Sequence, residues 1–296
     1  MERIKNFIKD NKKILLLAVF LLVFVTACTS VRNADGTIDP EKLITLETSF
    51  GKCLSEGWFN IFVWPVAQLI NIVAKYSDAG IGIIVATVLV NVGIAALSIK
   101  QQVATQKMQM IQPEITRIQA KYAGKNDQQS QMRQAQELQK VYDKHGINPF
   151  GTILVTFIQL PVILAVYQAV MRADSVYDGK FLGMSLSNTP IGAFTNQEWM
   201  GVVIFVLMVI AQFMSVKLPQ ILQKQTNKKL KIKTKEYAKE KSDNPMQNMD
   251  QMNIMMVVMV AFFAINWPLG MSFYWLVSSC VRMIQNVVIQ KYFINK

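Results

Sequence analysis

The stretch WPLGMSFYWLVSSCVRMIQNVVIQ (267–290) decides the fold. WPLG (267–270) is a tight turn, punctuated by Pro268 and Gly270. The run beyond it, about 270–291, is apolar and has roughly the 20 residues that a helix needs to cross a bilayer. Before the turn, Ile254–Trp267 forms the apolar part of a helix predicted at about 251–267. Two helices that double back through a turn inside apolar sequence predict a polytopic membrane protein. Working outward, three more spans are expected at about 80–99, 149–171 and 199–217, giving an all-α protein with five transmembrane helices. Two of the five open with a shared signal, INP (147–149) and DNP (243–245), in which Asn148 and Asn244 can cap and the prolines suit the first helical position.

Composition agrees. Of 296 residues 52% are hydrophobic, yet the net charge is +12, a pairing that suits basic loops between membrane spans. At the N-terminus a basic region (Arg3 to Lys13) precedes ILLLAVFLLVFVTA and then Cys28. This is a signal segment, 1–27, that ends like the lipobox of bacterial lipoproteins. Cys28 is therefore expected to carry diacylglycerol and palmitate outside the bacterial cell membrane. Cys53 then has no external partner, so a structural disulfide is not expected.

Charge sets the orientation. With Cys28 outside, residues 100–148 carry eight Lys/Arg and 217–250 carry nine Lys, both in the cytoplasm. The external parts 28–79 and 172–198 carry only four and two, which satisfies the positive-inside rule. Reading WFNIFVWPVAQLINIVAKY (58–76) as a span would invert that order. Asn60, Gln68, Asn71 and Lys75 fall within an arc of roughly 80° at about 100° per residue. The segment is accordingly read as an interfacial amphipathic helix after an external segment, 28–57.

Within the five-span domain, 80–296, residues 101–145 alternate as an amphipathic helical hairpin broken at AGKND (123–127). The basic loop 218–250 reads as an orientation signal that attracts anionic lipid, or more sharply as a ribosome contact. Nothing points to DNA.

Arg282 stands about 12 residues in from the outer end of the last span, near mid-depth at about 1.5 Å per residue. A charge there costs about 2.5–3.5 kcal/mol and normally faces protein or water. It shares a polar face with Trp275, Ser278, Ser279, Gln285 and Asn286. Thr87, Asn91 and Ser98 form a weaker stripe on the first span, Thr152, Thr156 and Gln159 on the second, and Gln212 marks the third. For these amides, packing between helices and lining of a hydrophilic groove remain equal alternatives. The six methionines from Met246 to Met259 read as fillers of packing gaps or as an adaptable surface. No carboxylate lies deep in a predicted span, and no nucleotide, metal or hydrolase motif occurs. An enzyme, a cofactor and a metal centre are therefore not expected, and a small-solute channel or transporter is the weaker alternative.

The order of parts resembles the YidC/Oxa/Alb family of membrane protein insertases. INPFG…FIQLPVILAVYQAV (147–170) and NPMQNMDQMNIMMVVMVAFFAINWPLGMSFYWLVSS (244–279) carry the resemblance, with Gln159, Leu160 and Pro161, then Asn266, Pro268, Gly270, Tyr274 and Trp275. It implies a hydrophilic groove open to cytoplasm and lipid, lined here by Arg282, Asn91, Gln159, Gln212, Ser279 and Asn286. It also implies client-helix contact at Trp275 and Tyr274. The implied partners are nascent membrane proteins, the Sec translocon, the ribosome and membrane lipids. One departure stands out: the resemblance calls for an arginine midway along the first span, where this chain has Asn91. Asn91 and Arg282 share a depth, so the groove charge is expected to have moved from the first span to the last. The same departure leaves open a specialised assembly chaperone.

Overall fold

In a computed structural model the described residues are mainly helical, with one tight two-stranded hairpin. The structure describes residues 39–125, 127–147, 149–229 and 249–294. The expected signal segment, Cys28, Asn148, the DNP start and the loop residues 230–248 lie outside them. The helices are α1 (Phe50–Ser55), α2 (Asn60–Tyr76), α3 (Ala79–Met110), α4 (Gln112–Lys121), α5 (Gln128–Lys144) and α6 (Pro149–Arg172). Then come α7 (Asp174–Tyr177), α8 (Pro190–Thr195), α9 (Trp199–Lys229), α10 (Met249–Ala264) and α11 (Leu269–Ile289). Strands β1 (Lys180–Phe181) and β2 (Met184–Ser185) flank Leu182 and Gly183, both at positive φ.

The chain divides into two compact units, with α3 and α6 each running through both. In the first, α2 makes a sharp corner with the start of α3. Asp78 closes it by accepting a hydrogen bond from the Ile81 amide at 2.9 Å. The corner needs small residues. A Cβ on Gly82 would lie 2.6 Å from the Ile70 carbonyl oxygen, and one on Gly80 would lie 2.3 Å from the Phe181 ring.

The polar stripe of α2 meets protein over most of its length. Asn60, Gln68 and Asn71 are buried, while Trp58, Ile61, Phe62, Ile72 and Tyr76 are exposed. Residues 42–53 cover the polar side, and their main-chain carbonyls take its donors: Gln68 Nε2 to Thr45 O at 2.7 Å and Asn71 Nδ2 to Ile44 O at 2.5 Å. A polar stripe bonded to protein needs no water. Apart from Lys75, which is exposed, it is the apolar side of α2 that is left for the surroundings.

In the second unit α9 packs lengthwise against α11, with Met208, Leu269, Met271 and Phe273 in the core. Gly201 permits the approach, since a Cβ there would stand 2.6 Å from the Leu269 side chain. α11 starts at Pro268, and the Leu269 amide donates to Asn188 O at 2.7 Å. By length and apolarity two stretches of the described residues suffice to cross a bilayer, Ala79–Leu97 and Trp199–Leu222. Pro161–Arg172 and Ile254–Ala264 are shorter apolar stretches. Met255, Met256 and Met259 on α10 are exposed, so they do not fill packing gaps.

α3 has 32 residues, about 48 Å at about 1.5 Å each, and outruns a hydrocarbon core of about 30 Å. Its end runs past the predicted hairpin start at 101. The break comes at Ile111 instead, because the ring of Pro113 would collide with the carbonyl of Gln109 if the helix continued. α4 and α5 then pair through a small core of Ile111, Ile115 and Ile147, with Met108, Leu138, Val141 and Tyr142 around it. Near the tip, Glu137 accepts from Lys121 Nζ at 2.6 Å and from Tyr122 Oη at 2.9 Å. These two bonds hold its carboxyl below the usual carboxylate range. Asp127 caps α5 by accepting from the Ser130 amide at 2.8 Å.

Candidate functional site

The polar face of α11 follows from helical spacing. Ser278, Arg282 and Gln285 recur at four and three residues, so they share one side. Ser279 and Asn286, seven apart, mark a neighbouring side. The structure turns these two sides into seams. Ser278 Oγ donates to Asn91 Oδ1 at 3.2 Å, and Gln285 Nε2 donates to the Asn91 carbonyl at 3.2 Å. Asn91 completes its own bonding by donating Nδ2 to Thr87 O at 2.8 Å. Further along α3, Gln106 Nε2 donates to Asn286 Oδ1 at 3.1 Å. On the other side Ser279 Oγ donates to Gln212 Oε1 of α9 at 2.7 Å, fully buried.

Four of the expected residues, Asn91, Gln212, Ser279 and Asn286, are thus joined in interhelical hydrogen bonds. Each such bond in a membrane protein is worth about 0.6 kcal/mol, reaching about 1.7. Gln159 lies on α6, where its side chain is outside what the structure describes. Arg282 differs from the rest. It is partly buried, and it has no hydrogen bond or ion pair to any described residue. At about 100° per residue it lies roughly 40° from Ser278 and 60° from Ser279, between the α3 seam and the α9 seam. Asn91 contacts residues 278 and 285, which bracket Arg282, so the two stand at one level along α11. Tyr274, two turns away on the same side, is within electrostatic reach of the guanidinium.

Tyr274 and Trp275, for which client-helix contact is expected, lie inside the fold. They are only 1% and 7% exposed, and Trp275 stacks on Trp267 at 5.2 Å with a 12° interplanar angle. Large aromatic rings next to a tight turn are claimed by the core that the turn creates.

Sequence reasoning missed a second charged cluster, in the first unit. Arg172, the last residue of α6, is only 4% exposed. Its Nε donates to Lys42 O at 2.7 Å and its Nη1 to Asn60 Oδ1 at 2.8 Å, and its Nη2 pairs with Glu56. Burial beside this cluster pushes the Cys53 thiol up, against a smaller opposing pull from Arg172. Pairing of opposite charges across the two segments expected to be external was the available signal. Gln106 was also missed, because it lies beyond the predicted span in what read as hairpin.

The chain matches the family model described as 60Kd inner membrane protein over residues 71–296. It is 31% identical to the membrane protein insertase YidC 2 of Bacillus anthracis over 235 residues, 79% of this chain and 81% of the relative. It is 29% identical to the membrane protein insertase MisCA of Bacillus subtilis over 285 residues, covering 96% and 92%. Identity to the membrane protein insertase YidC of Enterococcus faecalis is 28% over 286 residues, covering 96% and 88%. A family model matched by most of the chain, with relatives that align along nearly all of it, shows that the chain belongs to the 60Kd inner membrane protein family, the family of the YidC insertases.

Proposed function

We propose that the chain is a membrane protein insertase and chaperone for small or few-span membrane proteins, working alone or with the Sec translocon. The observation that supports this reading beyond family membership is Arg282, a charge with no hydrogen bond or ion pair to any described residue, between two hydrogen-bonded seams in an apolar helix. A half-buried arginine that no described residue pairs is stabilised by water or by a transient anion. A hydrophilic groove open to cytoplasm and lipid supplies the water, and acidic residues of a passing client supply the anion. Asn91, at the same level, leaves the α3 wall uncharged, so the charge is presented from α11 instead.

In this reading α3, α6, α9, α10 and α11 are the five spans, and α2 lies at the outer interface. The lipidated Cys28 is external, while the hairpin α4–α5 and the lysine-rich loop after α9 are cytoplasmic. The lysines meet the ribosome and anionic lipid. The exposed methionines of α10 give an adaptable apolar surface for an emerging helix.

Depletion of the protein followed by proteomics of the membrane fraction tests this. Selective loss of small, few-span proteins is expected. An unchanged membrane proteome with altered solute uptake would contradict it and favour a channel or transporter.

A further inference from the structure

At the N-terminal end of α9 the second unit carries an apolar face that insertion through a groove does not use. The short helix α8 is held there by its inner side. Pro190 and Ala193 are buried, and a Cβ on Gly201 of α9 would meet the Ala193 Cβ at 2.9 Å. Thr189 caps α8 by accepting from the Gly192 amide at 3.0 Å. Asn188 Nδ2 donates to Glu198 Oε2 at 3.2 Å, and the Glu198 amide returns to Ala193 O at 2.8 Å, which closes the turn into α9.

This framework fixes what points away. Ile191 and Phe194, three residues apart, are exposed, and Phe194 meets Trp199 edge to face at 6.0 Å. Large exposed apolar groups in a fixed array mark a binding face. The patch does not end with them. Val203, Leu207, Ile210 and Met214 continue it along α9 as one exposed stripe at steps of three and four. In the other direction it gives way to the exposed amides of Asn196 and Gln197. An apolar stripe that ends in aromatic rings and then in amides has the composition of a membrane–water boundary.

Register names the same occupant. The apolar stretch Trp199–Leu222 has 24 residues. Counted from Trp199, a hydrocarbon core of about 30 Å takes about 20 residues and ends near Pro219. Lys217 stands at that level, and Lys224, Lys228 and Lys229 follow. Rings bracket the helix at one boundary and lysines at the other.

We propose that α8 and Trp199 form an anchor that seats in the glycerol region of the outer leaflet and sets the depth of α9 and α11. α11 is tied to the same level, because the Leu269 amide donates to Asn188 O at 2.7 Å. Arg282 follows Leu269 by 13 residues, about 20 Å along the helix, so the anchor fixes the depth at which that charge is held. The leaflet rests on the proposed topology; seating in a membrane interface does not.

Nitroxide labels on the full chain, in vesicles of phosphatidylethanolamine and phosphatidylglycerol, report depth. Oxygen, concentrated among acyl chains, relaxes a label there, and a water-soluble nickel chelate relaxes one in water. With Cys280→Ala as parent and its signal subtracted, Phe194→Cys and Val203→Cys should favour oxygen, and Gln197→Cys should favour nickel. Ile191→Cys reads the outward face of α8 a second time. Nickel dominance at both 191 and 194 overturns the proposal. Exclusion of both relaxing agents there, or dipolar broadening between labels, overturns it too, since protein or a second copy then covers the face.

The depth-setting role has its own reading. Phe194→Ser with Trp199→Ser alters only exposed rings, and native Cys280, exposed on α11, carries the label. Its preference for oxygen should fall, because helices released at one end are drawn toward the lysines at the other. An unchanged preference overturns that role. In intact cells an impermeant thiol reagent should reach Gln197→Cys. No reaction there would overturn the topology, and with it the leaflet, and leave the seating in an interface.

Discussion

Single residues carry most of what can be tested in this fold. Gly82 is fixed by backbone, since the nearest atom to a new Cβ is the Ile70 carbonyl oxygen. A main-chain oxygen cannot rotate away as a side chain can. Gly82→Ala should destabilise the corner by about 1–3 kcal/mol, the usual cost of overpacking. A lowered midpoint of thermal unfolding in detergent is expected, and an unchanged midpoint would mean that the corner can open at no cost. The Gln212–Ser279 bond makes a softer claim. Gln212→Ala removes an acceptor from a buried hydroxyl and should cost about 1 kcal/mol. Ser279→Ala on top should add little, and full additivity in a double-mutant cycle would deny the bond.

At the scale of elements, the long helices were legible from run length and the turns from Pro and Gly. WPLG and Ile254–Trp267 read correctly as a helix pair because a turn and two apolar runs are local facts. The two faces of α2 were not legible, because periodicity shows where the polar stripe is and not what meets it. The partner proved to be the main chain of 42–53, which carries no side-chain signature. The hairpin lay between these cases. Its core periodicity was plain, but its start was misplaced by about ten residues because α3 has good helix formers until Pro113 stops it. Ile111 and Ile147 share one apolar cluster, so excising 112–146 should close on near neighbours. That deletion should leave a stable membrane protein with impaired client insertion. Full insertion activity would reduce the hairpin to a linker.

For the molecule as a whole, insertion depends on which side of the membrane each part occupies. Seventeen basic residues, eight in 100–148 and nine in 217–250, argue for a cytoplasmic hairpin and loop. Single cysteines placed at 125–130 should resist a membrane-impermeant thiol reagent in intact cells and react after lysis. Reaction in intact cells would invert the topology. The candidate site was legible in part: Arg282 and its stripe follow from helical spacing, and the shared level with Asn91 from counting residues. What the residues could not tell is which polar groups bond to each other. That depends on helices distant in sequence, and the seams take up four of the six expected groove residues, Asn91, Gln212, Ser279 and Asn286, while Arg282 has no hydrogen bond or ion pair among the described residues.

The most direct measurement of that central claim is complementation of an insertase-depleted strain at matched protein levels. Arg282→Ala should fail most for clients with acidic external segments, and Arg282→Lys should retain much of the activity. Asn91→Arg combined with Arg282→Ala should recover part of it, since a charge at the same level serves from either helix. Full complementation by Arg282→Ala, or no recovery at all by the exchanged pair, would contradict the account.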